Sequence, residues 1–184
     1  PFGFLLSGFA LLVSYLGQMN PQITPLMPVL VSPWLSIHVS LIMMSYALLA
    51  FIMLNGILAL CLRKKEPENN VSENDDRQDN RIEQLTLVSR LLLYPATFFL
   101  GAGIFLGAVW ANVSWGRYWA WDPKEVWALI TFLVYGVAFH SQSLRIFRKP
   151  LFFHIYMILA FLTVLMTYFG VNYVLGGMHS YANS

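Results

Sequence analysis

Long apolar runs separated by short polar loops constrain this chain more than any other feature. A transmembrane helix needs about 20 mostly apolar residues. Five segments meet or approach that length: Pro1 to Gly17, Leu35 to Leu62, Leu91 to Trp110, Val126 to Leu144 and Leu151 to Val171. An amphipathic stretch from Ile82 to Ser89 leads into the third. Of the 184 residues, 58% are hydrophobic and 11% charged, against about 25% charged in a soluble domain. That much apolar surface does not fit inside one soluble core. The balance excludes a soluble globular enzyme, a nucleic-acid-binding domain and a disordered regulator. The segments lack the alternation of a membrane β-barrel. The expected fold is all-α, a polytopic transmembrane helix bundle of about five spans with an outer Trp-rich loop.

Basic residues orient the bundle. Arg63, Lys64, Lys65, Arg77, Arg81 and Arg90 lie between the second and third spans, and Arg145, Arg148 and Lys149 between the fourth and fifth. Only Arg117 and Lys124, of eleven basic residues, fall on the other side. The positive-inside rule makes the basic side cytoplasmic. The 18–34 loop, the 111–125 loop and the tail from Asn172 then face outward. The Asn-, Asp- and Glu-rich segment 66–84 reads as a flexible cytoplasmic loop. Residues 1–184 read as one membrane domain. It opens on Pro1 with no basic n-region, as a cut in a longer protein would. The single cysteine, Cys61, excludes an internal disulfide and a CxxCH haem-attachment site in this chain.

The outer loop concentrates unusual chemistry. Five of the six tryptophans fall between Trp110 and Trp127. An interfacial belt accounts for one or two Trp per helix end; it accounts poorly for Trp115, Trp119, Trp121 and Trp127 with Tyr118 among them. The other reading is a platform for a large flat ligand, since indoles offer rigid apolar faces and an N–H donor. A porphyrin is such a ligand. Arg117 and Lys124 suit either its propionates or lipid headgroups. Asp122, Pro123 and Glu125 form a capping-box pattern that opens the fourth span. Capping is the leading role for Asp122 and Glu125, and ligand contact is compatible with it. Gly103 and Gly107 form a GxxxG on the third span, whose expected role is close helix packing.

Four histidines remain. His38 and His179 fall on the same outer side as the Trp loop, and two neutral imidazoles can fill both axial positions of a haem iron. His140 lies late in the fourth span near the cytoplasmic end, where an ionisable residue is a functional candidate by default. His154 sits at similar depth across a tight turn. It reads either as a second ligand beside His140 or as a hydrogen-bonding core residue, the latter favoured.

The string Trp115-Gly116-Arg117-Tyr118-Trp119-Ala120-Trp121-Asp122-Pro123-Lys124-Glu125 resembles the WWD signature of haem-handling membrane proteins. Its continuation Val126-Trp127-Ala128-Leu129-Ile130-Thr131 is similar to the CcsA (ResC) branch, which works in system II cytochrome c biogenesis. Trp34-Leu35-Ser36-Ile37-His38-Val39-Ser40, Gly107-Ala108-Val109-Trp110-Ala111-Asn112, Tyr168-Phe169-Gly170-Val171-Asn172 and Gly177-Met178-His179-Ser180-Tyr181-Ala182 support the likeness. It covers the chain from about residue 30. The resemblance implies that His38 and His179 ligate haem beside the WWD loop, and that His140 belongs to a membrane-embedded haem site. The other ligand of that inner site comes from a CcsB-type subunit or fused half. It further implies haem b held non-covalently in transit, delivery to an apocytochrome c bearing CxxCH, and a bacterial cytoplasmic membrane. The chain then corresponds to the carboxy-terminal core of a CcsA or fused CcsBA protein. An exporter or chaperone of the system I type, binding haem without ligating it to protein, is the rival reading. The D-P-K-E-x-W string argues against it.

Overall fold

The computed structural model describes residue 7 and residues 33–64, 73–140 and 143–175. The expected first span (but for residue 7), most of the 18–34 loop and His179 lie outside the described residues. Four α-helices form the bundle: α1, Pro33–Lys64; α2, Glu73–Trp115; α3, Pro123–Val137; and α4, Pro150–Leu165. A 3-10 turn, Ala138–His140, extends α3, and a second, Arg145–Arg148, leads into α4. A π-helical segment, Met166–Leu175, continues α4. No strand occurs among the described residues.

The helices run alternately up and down. Each packs on the next, α1 most extensively on α2, and α4 closes the ring against α1. The Trp-rich loop, the start of α1 and the end of the π segment share one end. Arg63, Arg81, Arg145, Arg148 and Lys149 gather toward the other, as their spacing along the chain predicts. Leu49, Ile52, Leu93, Ala96, Tyr135, Phe153, Met157 and Phe161 fill the core. Phe98, Phe105, Leu159 and Leu162 are exposed on the outside. Exposed large apolar side chains on helix flanks suit a bundle whose solvent is lipid.

Polar side chains tie the helices together inside. Ser45 Oγ donates to the Ala96 carbonyl at 2.8 Å, Asn55 Nδ2 to Ser89 Oγ at 3.3 Å, and Tyr156 OH to the Val134 carbonyl at 2.7 Å. Thr131 and Thr167 share a hydrogen bond of 3.1 Å. Interhelical bonds of this kind contribute about 0.6 kcal/mol each on average in membrane bundles. Pro95 lies inside α2, where neighbouring helices help satisfy the backbone group that proline frees.

Among the described residues, three helices are long and apolar enough to cross a membrane: Pro33–Arg63, Gln78–Trp115 and Pro150–Tyr173. The fourth expected span, Val126 to Leu144, is displaced toward the Trp-rich loop: α3 starts earlier, at its cap, and leaves α geometry after Val137. Its α part and the following 3-10 turn together rise about 28 Å, close to the roughly 30 Å hydrocarbon core. The 66–84 segment also differs from a plain loop, since α2 reaches back to Glu73. Gln78, Arg81, Glu83 and Gln84 are unbranched and lose little rotamer freedom in a helix. Gln78 Nε2 also donates to the Leu62 carbonyl, fixing the α2 start against the α1 end.

Candidate functional site

The loop between α2 and α3 is short and built from main-chain anchors. Gly116 takes a left-handed φ of 74°, and its N–H bonds the Asn112 carbonyl at 2.9 Å, ending α2. Asp122 is the N-cap of α3. Its Oδ2 accepts from Lys124 N at 3.1 Å. Glu125 Oε2 reaches back to accept from Asp122 N at 3.2 Å and Ala120 N at 2.8 Å. The capping box read from the sequence is therefore present, and Glu125 does more than close it. Its carboxylate grips the chain on both sides of Trp121, whose φ is 58°. Left-handed backbone costs a residue other than glycine about 1–2 kcal/mol, so the loop holds Trp121 in a conformation it would not choose alone.

Beneath this loop lies a cavity of about 230 Å³ between α1, α2, α3 and the π segment. His38, Trp110, Tyr118, Trp119, Lys124, Glu125, Tyr46 and Tyr168 are among its walls. It is smaller than the roughly 300–1,000 Å³ of most small-molecule pockets. Of the loop aromatics, Tyr118, which lines the cavity, is 60% exposed, and Trp121, which does not, is 74% exposed. Trp119 and Trp121 meet edge to face at 6.1 Å. Trp110 and Trp115 do so at 5.0 Å.

His38 enters the cavity from the second turn of α1. Its Nδ1 lies 2.7 Å from the Gly103 carbonyl oxygen. A carbonyl only accepts, so Nδ1 carries the proton; in the neutral tautomer with that proton the lone pair lies on Nε2. Metal-binding histidines are commonly oriented by such a bond from the other ring nitrogen. Gly107 faces the same imidazole. Lys124 crosses to the π segment, where its Nζ donates to Asn172 Oδ1 at 2.8 Å. Asn172 is held in turn by its own bond to the Tyr168 carbonyl at 2.6 Å. Burial pulls the Lys124 ammonium below the ordinary lysine value, opposed by the Asp122 carboxylate. An imidazole with a directed lone pair, aromatic walls and a cation form a donor set suited to a flat, anionic, iron-bearing ligand.

The structure brings His38, Tyr118, Trp119 and Lys124 together. Trp115, Trp121 and Trp127 do not line this cavity, nor do Arg117 and the buried cap Asp122. Trp115 backs Trp110 instead, while Trp127 lends its carbonyl to Thr131 at 2.8 Å. Tyr46, Trp110 and Tyr168 are wall residues that the sequence reading did not assign to a site, Trp110 and Tyr168 appearing there within motif strings. They sit on or beside apolar spans, where an aromatic carries no distinguishing signal.

His140 is exposed at the basic end, on the 3-10 turn that finishes α3. His154 is buried within the bundle. Thr86 Oγ1 donates to the Ile82 carbonyl at 2.7 Å, so at 2.9 Å it accepts from the His154 Nε2–H. That bond matches the core role favoured for His154 and turns its Nε2 toward α2. Arg90 lies over the adjacent Phe153 ring at 4.9 Å.

Residues 1–179 match the family model described as Cytochrome C assembly protein. Protein NrfI of Wolinella succinogenes is 40% identical over 97% of this chain, though the match spans 19% of NrfI. Cytochrome c biogenesis protein CcsA of Chlamydomonas reinhardtii is 40% identical over 87% of this chain and 44% of its own length. CcsA of Guillardia theta is 35% identical over 90% of the chain and 60% of its own length. The chain thus spans between a fifth and three fifths of these relatives. Its multi-helix membrane architecture, WWD string and family match agree: the chain belongs to the cytochrome c assembly proteins, in the CcsA family of cytochrome c biogenesis.

Proposed function

We propose that this chain is the haem-binding membrane core of a system II cytochrome c synthase. It carries haem b, non-covalently, to the outer face of a bacterial cytoplasmic membrane and presents it to an apocytochrome c. The observation that supports this best is the meeting of His38 with Trp110, Trp119, Tyr118 and Lys124 around one cavity. These residues come from three helices and a loop, and together they offer an oriented imidazole, aromatic faces and a cation to one ligand.

In this reading His38, through Nε2, and His179 would hold the haem iron. Tyr118 and Trp119 hold the porphyrin within the cavity, with Trp115, Trp121 and Trp127 extending or bracing the platform. Lys124, and Arg117 at the mouth, pair with the propionates. Asp122 acts through the cap, keeping the loop in register with α3. Haem supplies the vinyl groups that take up the CxxCH thiols. The chain contributes position, which can replace much of the entropy cost of bringing two reactants together. His140 serves an inner site at the cytoplasmic end, its second ligand coming from a CcsB-type subunit or fused half.

The test is reconstitution. The parent protein, with its CcsB-type half, is coexpressed with an apocytochrome c in a host lacking its own assembly system. Holocytochrome is expected with the natural sequence and not with His38→Ala. Equal holocytochrome from both would remove His38 from the mechanism.

A further inference from the structure

We propose that Gly107 is a positioning residue for His38: with the Gly103 carbonyl it forms a seat that holds the imidazole in one orientation. The proposal rests on the reading of His38 as an iron ligand. A Cβ added to Gly107 would lie 2.7 Å from His38 Cε1, 2.8 Å from Nδ1 and 3.4 Å from Nε2. Real Cβ atoms do not approach heavy atoms below 3.0 Å. The ring therefore lies in the space that every residue but glycine would occupy, and one turn earlier the Gly103 oxygen accepts its Nδ1–H at 2.7 Å. One contact sets how near the ring lies to α2, and the other sets which nitrogen keeps its lone pair. The GxxxG pair thus lets α1 approach α2 closely, and what fills its second notch is an imidazole.

A Cβ at Gly103 would meet Ile42 Cδ1 at 2.6 Å and Cγ1 at 2.9 Å, a β-branched side chain that is stiff in a helix, and Gly103 also supplies the carbonyl that accepts from His38, so a change there disturbs helix approach and seat together. The ring at Gly107 is pinned by its hydrogen bond and cannot yield without losing it. Gly136 has nothing within 4 Å of an added Cβ and serves as the neutral control.

The experiment compares Gly107→Ala, Gly136→Ala and His38→Ala in the parent protein, purified in detergent. The readouts are the haem absorption spectrum and accumulation in the membrane. Gly136→Ala is expected to keep the natural low-spin spectrum. Gly107→Ala should lose at least half of the low-spin band that His38→Ala loses. An unchanged Gly107→Ala spectrum at normal accumulation, with His38→Ala altered, overturns the seat. An unchanged His38→Ala spectrum refutes the ligand assignment instead. If Gly107→Ala does not accumulate, the double variant with His38→Ala decides. With the ring gone the new methyl has room, so accumulation should return to the His38→Ala level. Continued loss would mean that Gly107 serves backbone packing alone.

Discussion

Glu125 is where the loop geometry is most open to a quantitative test. Both bonds from the loop backbone, 2.8 Å from Ala120 N and 3.2 Å from Asp122 N, fall on one oxygen, Oε2. Hydrogen bonds to charged groups contribute about 1.5–3 kcal/mol each. The second is long and the carboxylate is half-buried, so the pair is placed at or below twice the lower figure, about 2–3 kcal/mol in all. That exceeds the roughly 1–2 kcal/mol cost of left-handed backbone at Trp121, as it must for the loop to hold. Glu125→Ala removes both bonds and should cost about 2–3 kcal/mol. Glu125→Gln keeps an oxygen that can accept both, and should cost about 1 kcal/mol or less, the loss of charge assistance. In thermal unfolding followed by near-UV circular dichroism, a chain of this size shifts by about 2–4 °C per kcal/mol. Alanine is therefore expected to lower Tm by roughly 4–12 °C and glutamine by no more than about 4 °C. Equal losses from the two variants would show that charge, not the shared acceptor, is what matters. No loss from either would refute the grip on the loop.

Three further outcomes follow from the same geometry. Trp121→Gly should be more stable than Trp121→Ala by about 1 kcal/mol, since both lack the indole and only glycine adopts the 58° φ freely; paired melting curves check this, and alanine equal to glycine would contradict it. Lys124→Met should weaken haem retention about ten- to a hundredfold, the usual worth of a charge-assisted bond. Because burial lowers the Lys124 pKa, its charge is present below that depressed value and lost as pH rises through it. Retention should then fall at a lower pH than an exposed lysine would give, and Lys124→Arg should move that fall upward; haem titration across alkaline pH reads both. Thr86→Val strands the His154 Nε2–H and should cost about 1–3 kcal/mol of stability while leaving the outer haem spectrum unchanged, and a changed spectrum would tie His154 to the ligand site.

The parts of this fold visible in the sequence are those governed by local rules. Apolar runs marked α1, α2 and α4, and the Asp122-Pro123-Lys124-Glu125 pattern marked the start of α3 through its own side-chain bonds. The early start of α2 was hidden because residues 73–84 are polar, and polarity in a short window reads as loop. The π geometry after Leu165 carries no local signature, yet it bears Thr167, Tyr168 and Asn172 at the cavity and its rim. The GxxxG pair was recognised as a packing feature. That His38 occupies it depends on a contact between residues 65 positions apart, which no spacing rule reveals. The same holds for Trp110 and Tyr46, which become site residues only when α1 and α2 come together.

The central claim is that His38 holds haem iron on the loop side of the bundle, and one spectrum tests it most directly. The detergent-purified parent protein is compared, reduced, with the His38→Ala, His179→Ala double variant. A sharp low-spin, bis-histidine spectrum in the natural protein that is lost or weakened in the variant is the predicted result. The same spectrum and haem content in both would contradict the claim and move the iron to His140 or another ligand.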